Sequence, residues 1–468
     1  MKIGKRILGT VMAGVLTAGL LAGCGGKPPV SSGGSQSSPA DDGKLLVAAA
    51  DLPVKGIFPV SDKYFNEATG DFDDAGFDKD SKAWDAAKTE RERQAAEKNK
   101  GYTDFLLDLS RQMLRDPAVD NPAFSPLNIY LSLGMLAEVT DGETRAQILK
   151  TAHAGSLDDL YKSANALAQA VRRGDDAQTV DLGSSMWLSN KYPFNEDTVK
   201  KTAERYFASV FRGEFGDGRL DQALRDWLNE KTGGLLKDQV NGLKFDDPDL
   251  AMVLAATIYL RTVWQDEFYE ESTEDATFHG KASDTVTPFM HASKHKAVYE
   301  GEKFTAIYRD FVSGGGMYFV LPKEGVAPEE LLEDEEAGRF LSGGAKSWEN
   351  RKEALVHESI PKFDVTAEYD LKNILTAMGV ADAFDQNKAD FSPLEKDGAS
   401  YFVSKAMHDA RVTVDEHGVE AAAFTVYGVS ATSMFIGDEV DFTLDRPFLY
   451  MIESDTNVPL FVGAVNEL

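Results

Sequence analysis

Histidines, acids and one cysteine are the side chains here that could do chemistry, and their spacing assembles almost none. Of seven histidines, only His291 and His295 stand four apart, the interval that sets two imidazoles on one helical face. No His-Glu-x-x-His motif surrounds them, so the pair is expected at the surface and not around a metal. The stretch from Asp71 to Asp80 has the acidic rhythm of a calcium loop. Ala75 takes a ligand position, however, and Lys82 takes the place of the bidentate glutamate, so a solvated loop is expected. Gly428-Val429-Ser430-Ala431-Thr432 lacks the last glycine of a nucleophile elbow. Glycine-rich dinucleotide and phosphate loops are missing. With 77 acidic residues, no acid pair stands out as a general acid–base couple. The chain is expected not to be an enzyme and to need no metal or cofactor.

Those residues sit in a chain of 468, of which 43% are apolar and 27% charged, a globular balance. Forty-nine basic against 77 acidic side chains give a net charge of −28, which argues against nucleic acid or an anionic membrane surface as partner. One cysteine allows no disulfide framework and no cysteine-based zinc site within a monomer, the expected state. The N-terminus reads Lys2, Lys5 and Arg6, then an apolar run from Ile7 to Leu21, too short and glycine-rich for a comfortable membrane span. It ends Leu21-Ala22-Gly23-Cys24 and resembles the lipobox of bacterial lipoproteins. That resemblance implies a signal peptide over 1–23 and lipidation of Cys24. The mature protein would be held at the cell membrane and exposed outside the cytoplasm, on its extracellular or periplasmic face. Residues 24–44 are rich in Gly, Ser and Pro, a flexible tether. Residues 45–99 read as an extension of no evident role, with a highly charged helical pattern through Lys98.

From 100 to 468 the pattern is mixed. Tyr102–Asp116 and Pro126–Val139 repeat apolar residues near the helical period. Strands are expected at Leu182–Leu188, Met252–Leu260, Met317–Leu321, Ala410–Val414 and Phe448–Ile452. Helices and strands do not alternate regularly, so the class is α+β. Six motifs then occur in order. They are Asn121-Pro-Ala-Phe-Ser125-Pro126-Leu-Asn-Ile129, Gly142-Glu-Thr144-Arg-Ala-Gln147-Ile148, Asp226-Trp227 with Thr232, Ile258-Tyr259-Leu260 with Trp264 and Phe268, Pro361-Lys362-Phe363, and Asp445-Arg446-Pro447-Phe448-Leu449 with Gly463. Together they resemble the serpin family over about 365 residues. The resemblance implies the serpin fold: N-terminal helices on a large mixed β-sheet, further sheets, and an exposed reactive-centre loop near 418–440.

Asp415 to Thr425 resembles the hinge of inhibitory serpins, with hinge residues Gly418, Val419, Glu420, Ala421, Ala422, Ala423 and Thr425. A segment that hangs out as bait and later joins a sheet must fit both places. Gly418 bends at low steric cost, and alanines slide between strands. Because strand side chains alternate, Val419, Ala421, Ala423 and Thr425 share one face, small or β-branched and suited to burial. Val419 and Phe424 depart from the family's usual small or hydroxyl-bearing residues. Family spacing puts the reactive bond at Thr432–Ser433, with Met434 as bait if the register shifts. No Lys or Arg occurs between Asp415 and Asp445. A trypsin-like protease is therefore a poor target, and an elastase-like or subtilisin-like serine protease is the expected partner. The implied mechanism is suicide-substrate trapping; the alternative is a non-inhibitory serpin acting as a binding or scaffold protein at the cell surface. The resemblance also names Ser125 and His408 as the shutter beneath the opening strands, and Trp264 as the residue under the point where the loop enters. The shutter asparagine of the family is Ala256 here, and its second serine is Asn128.

Overall fold

Runs of β-branched and aromatic residues make two large sheets, seen in a computed structural model that describes residues 45–48, 52, 54–66, 69–116, 118–175, 177–243, 250–419 and 438–468. Strands β1 (Leu46–Ala48) and β2 (Ala123–Phe124) precede β3 (Arg173–Gly174), β4 (Gln178–Ser189), β5 (Ala208–Gly213) and β6 (Met252–Val263). Next come β7 (Thr273–His279), β8 (Asp284–Glu300), β9 (Phe304–Asp310), β10 (Gly316–Pro322) and β11 (Arg351–Pro361). The last are β12 (Phe363–Asp370), β13 (Met407–Val414), β14 (Gly418–Val419), β15 (Asp438–Thr443), β16 (Phe448–Glu453) and β17 (Pro459–Val465). One sheet has eight strands, in the order β1-β5-β4-β6-β14-β13-β12 with β3 on β4. The other has nine, β15-β11-β8-β9-β10-β16-β17-β2 with β7 on β8. The five segments expected to be strands fall within β4, β6, β10, β13 and β16.

Helices α1 (Asp74–Met113), α2 (Pro126–Glu138), α3 (Gly142–Thr151), α4 (Leu157–Val171), α5 (Glu196–Tyr206), α6 (Arg219–Lys231) and α7 (Lys237–Gly242) come mostly before the second sheet. Helix α2 is apolar on nearly all sides and buried almost throughout, as a helix at the centre of a core must be. Ser125 caps it by accepting from the Asn128 N–H at 3.3 Å, and Pro126 opens its first turn. It packs against α4, β6 and β17, beneath the eight-stranded sheet.

Two expectations need correction. The acidic stretch from Asp71 is not a loop: Asp73 accepts from the Gly76 N–H at 3.0 Å and starts α1, so Asp74 to Asp80 are helical. His291 and His295 lie on strand β8 and not on a helix. Four strand residues span about 13 Å, too far for both rings to hold one metal.

The extension and the body form one compact unit from Leu45 onward, and α1 runs across the boundary between them. Trp84, in the charged half of α1, is buried between two guanidinium groups, Arg173 at 4.0 Å and Arg91 at 4.7 Å from its ring. Both arginines reach Asp455 at 2.9 Å, and Arg173 also reaches Asp175 at 2.9 Å. Lys55 adds an ion pair to Asp181 at 2.8 Å. Among the described residues, no helix is long and apolar enough to cross a membrane.

Candidate functional site

The eight-stranded sheet is split in the middle. Among the described residues β6 and β13 share no pair; the two-residue strand β14 lies between them and is antiparallel to both. Val419 is opposite Thr262 on one side and Val414 on the other, and Gly418 is opposite Val263. Gly418 is needed here for closeness. A Cβ on it would come 2.0 Å from the Thr262 carbonyl oxygen, so any side chain would push β14 off β6. Bending, the reason read from the sequence, is not what the site demands: Gly418 is not among the residues with positive φ. Val419 is buried at 3% exposure, and its apolar branched side chain suits that place. Below β14 lies a cavity of about 570 Å³, with Ser125, Asn128, Ala256 and His408 among its lining and Leu224, Leu228 and Val240 of α6 and α7 on its other wall.

The turn from Asp415 to Gly418 reverses the chain between β13 and β14. Asp415 Oδ1 accepts from the N–H groups of His417 (2.9 Å) and Gly418 (3.1 Å), an arrangement that aspartate favours in turns. Trp264 fastens this turn to the end of β6: its backbone N–H donates to the His417 carbonyl at 2.9 Å and its indole N–H to the Asp415 carbonyl at 3.0 Å. The indole stacks on Phe311 with ring centres 5.1 Å apart and is fully buried. Glu416 is buried and meets Lys362 at 2.6 Å and the Thr273 hydroxyl at 2.9 Å. Burial pushes its carboxyl up; hydrogen bonds from Lys362, backbone and Thr273 more than offset this and leave it below the usual carboxylate range. His417 Nδ1 lies 2.9 Å from Glu267, and its Nε2 lies 3.6 Å from Glu270. The bond to Glu267 raises the imidazole pKa above its ordinary value.

At the floor, Ser125 and His408 do meet: the Ser125 backbone N–H donates to His408 Nε2 at 3.0 Å. That ring nitrogen must be bare to accept, and burial pushes the imidazole pKa down to about 4, so the neutral form is the resident one. Tyr369 stacks on the ring at 6.4 Å. Ala256 offers no amide, and Asn128 engages Ser125 through its backbone N–H and not its side chain. Beside His408, burial and then the Glu368 charge raise the Asp409 carboxyl to about 6.

Cys24, the hinge residues Glu420, Ala421, Ala422, Ala423 and Thr425, and the bait residues Thr432, Ser433 and Met434 lie outside the described residues. The chain resumes as β15, which pairs in parallel with β11. Sequence reasoning used Lys362 only as part of a motif and missed its bond to Glu416; it also missed Glu267 and Glu270 as partners of His417.

Comparison with known proteins agrees with this geometry. The family model for serpins (serine protease inhibitors) matches residues 100–468. Alpha-1-antitrypsin 1-2 of Mus musculus is 30% identical over 373 residues, covering 77% of this chain and 87% of the mouse protein. Alpha-1-antitrypsin of Meriones unguiculatus is 29% identical over 394 residues, covering 82% and 93%. Among solved structures, native tengpin, a thermophilic serpin, superposes with a TM-score of 0.70 at 25% identity, covering 79% of this chain and 93% of its own. Human thyroxine-binding globulin gives a TM-score of 0.68 at 24% identity, covering 80% and 99%, a likeness of fold alone.

Proposed function

Because the chain belongs to the serpin family, we propose that it inhibits a serine protease by suicide-substrate trapping, with loop cleavage at Thr432–Ser433. The observation that carries this reading is β14, a strand of two residues already seated antiparallel between β6 and β13 at the head of a split sheet. In the proposed inserted state the chain after Val419 continues that strand. In the same register Ala421 falls between Leu260 and Val412, Ala423 between Ile258 and Ala410, and Thr425 between Ala256 and His408. Leu260, Ile258, Val412 and Ala410 are buried and apolar, so small residues suit the first two places. Thr425 would bring a hydroxyl to the floor where Ala256 supplies no polar group.

The serine of the target attacks the Thr432 carbonyl, forms an acyl-enzyme and releases the chain that begins at Ser433. Insertion must then outrun hydrolysis. Fifteen residues from Gly418 to Thr432, at ~3.3 Å each, carry the tethered protease about 50 Å. A small bait residue and the lack of Lys and Arg from Asp415 to Asp445 support an elastase-like or subtilisin-like target over a trypsin-like one. We place the mature protein outside the cytoplasm, lipidated at Cys24 and tethered by 24–44, a monomer with no cofactor.

The test is to mix the mature domain with an elastase-like and a subtilisin-like protease and run denaturing gels. A covalent band near the summed mass, lost when the protease serine is inactivated, is the expected result. Mass spectrometry of the released peptide fixes the bond. Clean cleavage near Thr432 by each protease, with full protease activity afterwards, would overturn trapping and favour the binding or scaffold role.

A further inference from the structure

Parting β6 from β13 below β14 loads the contacts between two groups of residues at the head of the sheet. One is the hinge turn Asp415–Gly418, carried by β13. The other is the chain that leaves β6, from Trp264 to Glu270. Four bonds cross between them. Three are pH-independent: Trp264 N–H and indole N–H to the carbonyls of His417 and Asp415, and Phe268 N–H to the Glu416 carbonyl at 3.0 Å. The fourth is His417 to Glu267 at 2.9 Å, with Glu270 3.6 Å from the other ring nitrogen. We infer that His417 is a positioning residue for sheet opening: its charged imidazole latches the hinge turn to the chain leaving β6 and resists separation of β6 from β13. The inference rests on the sheet-opening half of the proposed function, not on protease capture.

Charged groups around the imidazole favour this assignment. From the chain leaving β6 it faces Glu267 and Glu270; from its own turn, Asp415. Glu416 is already neutralised by Lys362 across β12's leading end, and Asp266 by Lys294 of β8 at 3.0 Å. His417 is the cation bonded to Glu267, and the side chains of this pair are each 30% exposed. The sign follows from the raised pKa. The charged form is complete below the ordinary value near 6.5 and is lost as pH rises through the folded-state value, so the latch holds in acid and slackens in alkali.

The test uses the full chain and H417Q, with protection factors of the Trp264 and Phe268 amides against hydrogen exchange, corrected for intrinsic pH dependence. A half-exposed pair is worth a change of about two- to five-fold. Protection in the wild type is expected to fall by that factor between pH 6 and pH 9. In H417Q it is expected to start lower and stay flat, as in E267Q. Conversion of the uncleaved protein on warming to a urea-resistant, loop-inserted form is expected to speed up over the same range in the wild type only. Equal pH dependence in wild type and H417Q, or none in the wild type, overturns the latch. Failure to trap any protease, with the pH effect intact, overturns the inhibitory reading and leaves the latch standing.

Discussion

Val419→Arg tests the whole chain of reasoning at one position. Val419 is the deepest described residue of the hinge, 3% exposed, with Thr262 and Val414 directly opposite. Thr262 and Val414, directly opposite, offer no counter-charge, so an arginine would keep β14 out of the resting sheet sooner than be buried there without a partner. An uncompensated buried charge costs about 3–5 kcal/mol. With β14 kept out of the resting sheet, insertion must first seat residue 419, so that cost falls on the barrier. At about 1.4 kcal/mol per tenfold, insertion should slow by roughly a thousandfold. Hydrolysis of the acyl-enzyme, which does not involve Val419, should be unaffected and should win. The assay is titration of a trapped protease with V419R, reading the moles of inhibitor consumed per mole of enzyme blocked and the covalent band on a denaturing gel. The expected result is complete cleavage near Thr432, no covalent band, and active protease. Val419→Thr, β-branched and of similar volume, should trap as the wild type does. If V419R forms complex with unchanged stoichiometry, entry of the loop through β14 is wrong.

Three further outcomes are expected. His408, neutral and buried with a pKa near 4, stabilises the fold above its unfolded value of 6.5 and stops doing so as pH falls toward 4; lowering pH from 7 to 5 should cost about 2 kcal/mol through this residue. Asp409, raised to about 6, shifts stability the opposite way by about 1 kcal/mol; urea midpoints at the two pH values should therefore fall less in H408Q than in the wild type, and equal falls would refute the neutral assignment. Trp84→Ala should lower stability by about 3 kcal/mol, since a buried ring and its contacts to Arg173 and Arg91 are lost; a thermal midpoint within error of the wild type would show that the extension does not brace the body. Ala256→Asn should put an amide beside His408 and Ser125 ahead of Thr425, raising the midpoint of the uncleaved protein and the inhibitor consumed per protease trapped; an unchanged stoichiometry counts against Thr425 as the residue that fills this place.

Local patterning made much of this fold legible. Strands β4, β6, β10, β13 and β16 and helix α2 follow from runs of apolar residues whose period and length leave little choice. Helix α1 was legible as two pieces, because Gly101 looks like a break between a charged stretch and an apolar one. It is instead a contact: a Cβ there would stand 2.7 Å from the His153 carbonyl, so the helix passes straight through on a glycine. The site divides the same way. Gly418 and the small residues after it stand out in sequence because a strand that is to insert would need them. The groups that hold the hinge do not, because His417 and Glu267 are 150 residues apart and Glu416 and Lys362 are 54 apart. Trp84 was equally silent, since Arg173 of β3, which covers its ring, and Asp455, which holds that arginine, are distant in sequence and only the fold brings them together.

The split sheet also constrains what can enter it. Because β14 runs antiparallel to both β6 and β13, the gap accepts a strand from one direction only, that of the chain leaving Gly418. Its two faces differ. Toward the core, Leu260, Ile258, Val412 and Ala410 present apolar side chains, and His408 a polar ring held neutral. On the opposite face stand Arg261, Arg411 and Asp409. A slip of one residue would exchange these faces for the incoming strand, burying Glu420 against the core and exposing Ala421 and Ala423. Val419, held between Thr262 and Val414 in the resting sheet, would set the register before the proposed insertion begins. Speed matters because an acyl-enzyme waits on water, and a strand that must search for its register would lose that race. On the proposed mechanism the two residues of β14 would remove the search, and the inferred latch beside them would hold the rest of the gap shut until cleavage frees the loop.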